Sequence, residues 1–245
     1  MGFWTDICSI EDDMDIGIIG SGNIGAALAR HLTKLGHQVS IANSRGPASL
    51  TDIAAETGAK AASVEAAAGS KDMVIISIPE AAITKLPRDV LSQSKAIVID
   101  TGNWFPSRDG TNSDIEAGMP DSEWVSRIIG HDVIKAFNNI VTKSLVNRTA
   151  PAGSSARIAL SVSGNDPEER RAVMALIDEI GFDAVDNGPL SDSWRHQPGS
   201  PAYCNDLTVD GLQKAHRQAI RDDVPLYRKA ADDIAGPYFR GEKTL

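Results

Sequence analysis

The sequence predicts an α/β fold: a doubly wound, mostly parallel sheet with extra C-terminal strands and a helical C-terminal tail. Three observations predict it. Residues 15–19 form a short apolar run that leads straight into Gly20-Ser21-Gly22-Asn23-Ile24-Gly25, a G-x-G-x-x-G turn opening an Ala/Leu-rich helix. Residues 73–78 and 96–100 are continuous apolar runs rather than alternating ones, the mark of parallel strands buried on both faces. Helical segments separate these runs, so the chain alternates strand and helix. A glycine turn in that setting is the dinucleotide-binding arrangement, and the fold is of Rossmann type.

Composition sets the bounds. The chain has 245 residues, 42% hydrophobic and 23% charged, an ordinary globular balance with enough apolar matter for a sizeable core. A formal net charge of −9 disfavours nucleic acid and anionic membrane as partners. The expected partner is a small-molecule acceptor. Cys8 and Cys204 have no Cys/His neighbours at metal-ligand spacing and read as free thiols of a reducing, cytoplasmic compartment. No stretch reaches the roughly 20 apolar residues of a membrane helix. Acidic residues Asp6, Glu11, Asp12 and Asp13 stand where a signal peptide would be basic and then apolar. Residues 1–13 therefore read as a disordered extension, or Met14 as an alternative start.

The elements follow in order. Strand 15–19 feeds the turn: Gly20 permits the tight bend, Gly22 lets a pyrophosphate approach the backbone, and Gly25 lets the helix pack on the strand. Helix 23–35 offers unpaired N–H groups and partial positive charge to the phosphates. Strand 38–42 ends in Asn43-Ser44-Arg45. An NAD site usually has a carboxylate there for the ribose 2′-hydroxyl; a serine hydroxyl and an arginine instead suit a 2′-phosphate, so the cofactor reads as NADP(H). Helix 50–57, strand 60–63 and helical turn 64–69 precede strand 73–78. Helix 88–94 precedes strand 96–100, which ends in Thr101-Gly102-Asn103. Ligands of open α/β sheets lie beyond the carboxyl ends of strands, which puts Ile78, Pro79 and Asn103 at the cofactor cleft.

Residues 104–121 read as a long loop over the strand ends, with exposed-looking aromatics. Helix 123–129, strand 132–137, helix 142–147, strand 157–163, helix 167–180 and strand 183–186 complete a cofactor domain over 14–190. The tail, 191–245, has no further βα pattern; helices over 207–221 and 225–234 pack on the domain or dimerise with it, and a homodimer is expected.

The motifs now in hand resemble the NADP oxidoreductases that use the 8-hydroxy-5-deazaflavin coenzyme, and the cytosolic reductase domain of STEAP-type membrane metalloreductases. They are the glycine turn, Asn-Ser-Arg at 43–45, Ser-Ile-Pro at 77–79, Ile-Asp-Thr-Gly-Asn at 99–103, Val-Ile-Lys-Ala-Phe-Asn-Asn-Ile at 133–140 and Asp-Asn-Gly-Pro-Leu-Ser at 186–191. The resemblance implies that residues 21–24 hold the pyrophosphate and that Ser44 and Arg45 hold the 2′-phosphate. Ile78, Ala82 and Asn103 would then line the nicotinamide half, and Asn138, Ile140 and Thr142 its border with the acceptor. The chain departs from the family in having Ser49 where a basic residue often follows the Ser-Arg pair, in a longer 104–120 loop, and in its tail.

Three functions remain open on the sequence. The first is hydride transfer between NADP(H) and a planar ring, a deazaflavin or flavin co-substrate, stacked over the nicotinamide against Asn138, Ile140 and the Trp104 loop. That chemistry needs positioning rather than a catalytic dyad, and none is assigned. The second is a carbonyl or imine reductase, which needs a proton donor; His131, Lys135, Lys143, His196 and Tyr203 are candidates, although Lys135 also reads as solvated or phosphate-facing. The third is a non-catalytic NADP-binding sensor or partner domain.

Overall fold

The structure, a computed structural model, describes residues 13–243; the expectation for the segment before Met14 falls, Asp13 apart, outside them. Five strands, with a helix between each and the next, make up most of the main sheet. The elements are β1 (Asp15–Ile19), α1 (Asn23–Lys34), β2 (Gln38–Ala42), α2 (Thr51–Thr57), β3 (Lys60–Ala62), α3 (Val64–Ala68), β4 (Met73–Ile76), α4 (Arg88–Leu91) and β5 (Ile97–Asp100). Helices α5 (Pro106–Asp109), α6 (Ser113–Glu116) and α7 (Asp121–Ile129) lead to β6 (Ile134–Lys135). The six strands are all parallel, in the order β3-β2-β1-β4-β5-β6. The order reverses between β1 and β4, and this switch point is where such sheets bind ligands.

Apolar residues on both faces of each central strand explain the layering. Ile16, Ile18, Ile75 and Ile99 pack toward α1 on one face; Ile19, Val74, Ile76 and Val98 pack toward α3, α4 and α7 on the other. Beyond β6 come α8 (Thr142–Asn147), β7 (Ala159–Val162), α9 (Pro167–Ile180) and β8 (Asp183–Asp186). Helix α9 is capped by the Asp166 carboxylate, which accepts from the Glu168 and Glu169 N–H groups. Strands β7 and β8 pair in parallel as a separate two-stranded sheet. Among the described residues a single antiparallel bridge, Lys135 to Ser163, joins it to the main sheet.

Several boundaries differ from the sequence reading. The strand expected over 132–137 is only two residues long, because Phe137 adopts φ 59° and turns the chain out of the sheet. The 104–121 segment, expected as a loop, holds two short helices, and its aromatics Trp104 and Phe105 are buried. The tail winds through a 3₁₀ segment, Leu190–His196, then α10 (Val209–Gln218) and α11 (Val224–Phe239), the latter continuing through Pro237. Among the described residues no helix is long and apolar enough to cross a membrane.

Helix α3 touches β1 with almost no clearance. A Cβ on Gly17 would lie 1.8 Å from the Ala67 carbonyl oxygen. Gly17→Ala is therefore expected to destabilise the fold by about 1–3 kcal/mol, the usual range for overpacking. A lower urea midpoint with an unchanged slope would record that; an unchanged midpoint would mean the contact is slack.

Candidate functional site

The cleft lies along the carboxyl ends of the parallel strands, and its floor is the turn after β1. The three glycines of that turn do different work. A Cβ on Gly20 would sit 2.0 Å from the Ser77 carbonyl oxygen, and one on Gly25 2.0 Å from the Gly20 carbonyl oxygen. Both are demanded by packing. Gly22 is exposed, and a Cβ there would meet nothing within 4 Å. Gly22 is also the N-cap of α1, with no side chain bonded to the helix N–H groups. The turn thus presents free donors, the positive end of a helix dipole and open space together, which suits a pyrophosphate.

Asn43 ties this turn to the end of β2. Its amide donates to Ser21 Oγ (3.1 Å), and its carbonyl accepts from the Arg45 N–H (2.8 Å) and from Ser49 Oγ (3.0 Å). Ser49 thus braces the loop from the place where a basic residue was looked for. Ser44 and Arg45 are exposed beyond it. Asn23 is exposed, and Ile24, Ile78 and Ala82 are half-buried along the rim with Pro79 exposed.

At the far end the arrangement differs from the sequence reading. Asn103 is half-exposed, but Asn138 and Ile140 are 3% and 4% exposed, so their side chains lie under the cleft rather than along it. Ile140 belongs to the apolar core on the α1 face. Asn138 donates to Asn103 Oδ1 (3.0 Å) and to the His196 carbonyl (2.7 Å), while Asn103 Nδ2 donates to the Asn138 carbonyl (3.1 Å). Thr142 is half-buried at the start of α8. Trp104 does not offer a ring to the cleft either: its indole N–H donates to the Gly110 carbonyl, and the Arg228 guanidinium sits 5.6 Å from its ring centre.

Below Asn103 is a buried charge cluster that the sequence reading missed. Lys135, fully buried, donates to the Gly102 carbonyl (2.7 Å) and faces Asp100 Oδ2 (3.4 Å); it is neither solvated nor phosphate-facing. Burial pulls its ammonium down, but the carboxylates of Asp100 and Asp121 outweigh that and hold it above the ordinary lysine value. Asp100 also accepts from Ser122 Oγ (2.5 Å) and the Gly102 N–H (2.9 Å). Asp121 pairs with Arg228 (2.9 Å) and accepts from the Trp104 N–H (3.1 Å). Glu80 is 1% exposed with neither carboxyl oxygen bonded. Burial, reinforced by Asp100, raises it well above the usual carboxylate range, so it carries a proton. A charged residue inside an apolar strand pattern, as at Lys135, was the one available signal. Nothing in the sequence links Asp121 to Arg228.

The other proton-donor candidates separate cleanly. His131 precedes β6 and so lies at the amino end of the sheet, away from the cleft, bonded to the Ser94 and Asp132 carbonyls. Lys143 is exposed on α8. His196 is fully buried, which holds its imidazole neutral, well below its ordinary value. Tyr203 is partly buried; burial, with Cys204 beside it, keeps the phenol protonated well above its usual range. Burial also pushes the Cys204 thiol up to about 12. The Cys204 N–H donates to the Asn139 carbonyl (3.0 Å) and Asn139 Nδ2 to the Ala202 carbonyl (3.3 Å), so the tail is stitched to the loop after β6.

Comparison with known proteins gives this geometry a context. A family model for "NADP oxidoreductase coenzyme F420-dependent" matches residues 15–104, from β1 through the turn after β5. The crystal structure of protein SMa0349 from Sinorhizobium meliloti aligns with a TM-score of 0.67 and 32% identity, over 80% of this chain and 95% of that one. A candidate F420-dependent NADP-reductase from Arthrobacter sp. FB24 has the same fold, with a TM-score of 0.61 and 22% identity over 74% of this chain and 87% of that one. The Escherichia coli K12 protein YjhV is 43% identical over 65 residues, which are 26% of this chain and 47% of YjhV, about half its length.

Two measurements check the cleft. Gly22→Ala is expected to weaken NADPH binding about tenfold, because its Cβ would stand in the open space where the pyrophosphate approaches and hold it off one N–H donor, while costing only the ~1 kcal/mol or less of a poorer N-cap. A larger loss of stability with binding unchanged would place Gly22 with the packing glycines. Glu80 keeps its proton above the pH at which an unfolded glutamate loses it. The native chain then binds more protons than the unfolded one, and stability falls as pH rises through that window. Relative to wild type, Glu80→Gln should gain stability as pH rises above about 4.3, the ordinary glutamate value, in urea unfolding; a difference independent of pH would mean that Glu80 ionises as it does in water.

Proposed function

Because the chain belongs to the coenzyme F420-dependent NADP oxidoreductase family, we propose that it moves hydride between NADP(H) and a planar ring acceptor, a deazaflavin or flavin. The observation that carries this reading is the state of the polar groups at the nicotinamide end. Lys135 is locked in an ion cluster, His196 is buried and neutral, and Asn138 is wholly engaged with protein. Among the described residues, these groups form an oriented scaffold rather than an acid–base pair. Ring-to-ring hydride transfer asks for that: the rings supply the chemistry and the protein holds the reacting carbons about 3–3.5 Å apart.

In this reading Gly20 and Gly25 shape the turn, and Ser21, Gly22, Asn23 and Ile24 receive the pyrophosphate at the α1 N-terminus. Asn43 braces the adenosine end, where Ser44 and Arg45 meet the 2′-phosphate. Ile78, Pro79 and Ala82 form an apolar wall that excludes water beside the nicotinamide, and Asn103 orients its carboxamide. Bound NADPH supplies the hydride, and the chain fixes the face from which it leaves.

A specific observation keeps the carbonyl or imine reading in view. Tyr203 is partly buried and protonated beside the same loop, so it is the one surviving donor.

Arg45→Ala should weaken NADPH binding about tenfold or more, since a charge-assisted pair contributes ~1.5–3 kcal/mol, and leave NADH binding unchanged. Equal losses for both would remove the 2′-phosphate contact. NADPH oxidation with a deazaflavin, with FMN and with cyclic imines distinguishes the acceptors. Tyr203→Phe should cost less than about tenfold in turnover if the acceptor is a ring, against about 10²–10⁴-fold if Tyr203 is a general acid. Turnover of imines alone, abolished by this substitution, would overturn the proposal.

A further inference from the structure

A chain of hydrogen bonds runs from the tail to Asn103, and its polarity can be deduced from its ends. The His196 main-chain carbonyl can only accept, so the Asn138 atom 2.7 Å from it is the amide nitrogen. The other Asn138 atom is then the carbonyl oxygen, which lies 2.8 Å from His196 Nδ1. His196 Nδ1 must therefore carry the hydrogen, and Nε2 is bare. Nε2 lies 2.9 Å from Ser163 Oγ, which must donate to it. Ser163 Oγ in turn accepts from Asn187 Nδ2 (3.0 Å), whose other hydrogen goes to the Asp192 carbonyl (2.9 Å). Main-chain carbonyls fix the direction at both ends, and one tautomer satisfies every bond.

Asn138 then has both its N–H groups and one lone pair committed to protein. Asn103 does not. Its Oδ1 accepts from Asn138 and one N–H donates to the Asn138 carbonyl, which leaves one N–H and one lone pair on a half-exposed side chain at the cleft.

We infer that His196 is a positioning residue for the nicotinamide half of the cofactor: its Nδ1–H fixes the Asn138 amide, and Asn138 fixes Asn103 so that a donor and an acceptor face the nicotinamide carboxamide. The tail segment that carries His196 is on this account part of the active site. The inference rests on the assignment of Asn103 to the nicotinamide end made above.

The two amide replacements of histidine separate this role from packing. An asparagine amide nitrogen falls where His196 Nδ1 stands; a glutamine amide falls where Nε2 stands. Purified full-length wild type, His196→Asn and His196→Gln are titrated with NADPH and with adenosine 2′,5′-bisphosphate, which lacks the nicotinamide half. Wild-type binding of the bisphosphate reports the cofactor site itself, so its absence would defeat the NADP assignment and not this inference. The expected result is that His196→Gln binds NADPH about tenfold more weakly, His196→Asn stays near wild type, and both bind the bisphosphate as wild type does; a misplaced positioning group costs up to about 10²-fold. Equal NADPH affinities for the two variants would overturn the inference. Should either fail to fold, ¹⁵N spectra of the wild-type imidazole at neutral pH decide: a hydrogen on Nδ1 is expected, and one on Nε2 would overturn it.

Discussion

Lys135 holds the two sheets and the cleft to one another. Its main chain makes the only bridge between the sheets among the described residues, donating to the Ser163 carbonyl at 2.7 Å and accepting from the Ser163 N–H at 3.0 Å. Its side chain reaches the other way, to Asp100 and the Gly102 carbonyl. The turn bearing Asn103 is therefore held by the residue that joins the sheets. Removing one partner from a buried pair typically costs about 3–5 kcal/mol, because the other charge is left stranded. Charge balance explains the protonation of Glu80. Asp100 and Asp121 already match Lys135 and Arg228 within the cluster, and a third buried carboxylate would have no counter-charge.

The division of labour among the glycines follows the same logic of space. Gly17, Gly20 and Gly25 sit where backbone meets backbone, and any side chain would collide with a carbonyl oxygen. Of these four only Gly22 has room beside it, so its lack of a side chain relieves no clash within the protein and fits the approach of a ligand. The turn pattern thus mixes two structural demands, at Gly20 and Gly25, with one at Gly22 that the fold itself does not make.

What could be read from the sequence depended on the range of the forces involved. Strand–helix alternation, the glycine turn and the continuous apolar runs are local signals, and they yielded a mostly parallel sheet with its cleft at the carboxyl ends of the strands; the strand order came from the structure. Failures came where a long-range contact overrode a local pattern. The apolar strand pattern over 132–137 suggests a full strand, yet Phe137 takes φ 59° and the chain leaves the sheet after Lys135, a backbone choice that no local pattern announces. Trp104 sits among glycines and prolines that suggest exposure, yet Arg228, far along the chain, covers it. Asn138 was recognised by its motif, but whether its side chain faces ligand or protein is decided by His196, fifty-eight residues later.

The tail shows how polar groups beneath the cleft are kept from titrating. A neutral imidazole with one bare nitrogen can link a donor to an acceptor, which an imidazolium cannot, since it only donates. Full burial supplies that neutrality by making the charged form expensive. The same burial keeps the Tyr203 phenol and the Cys204 thiol protonated. Groups that titrate in water are thereby converted into fixed dipoles. For hydride transfer between stacked rings this is the favourable arrangement. No proton has to move in step with the hydride, and preorganised dipoles need not reorganise as charge shifts. A dry, oriented scaffold beneath the cleft is thus a consequence of how deeply the tail is packed, and the reaction the fold can support is limited by that packing as much as by the residues that face the cleft.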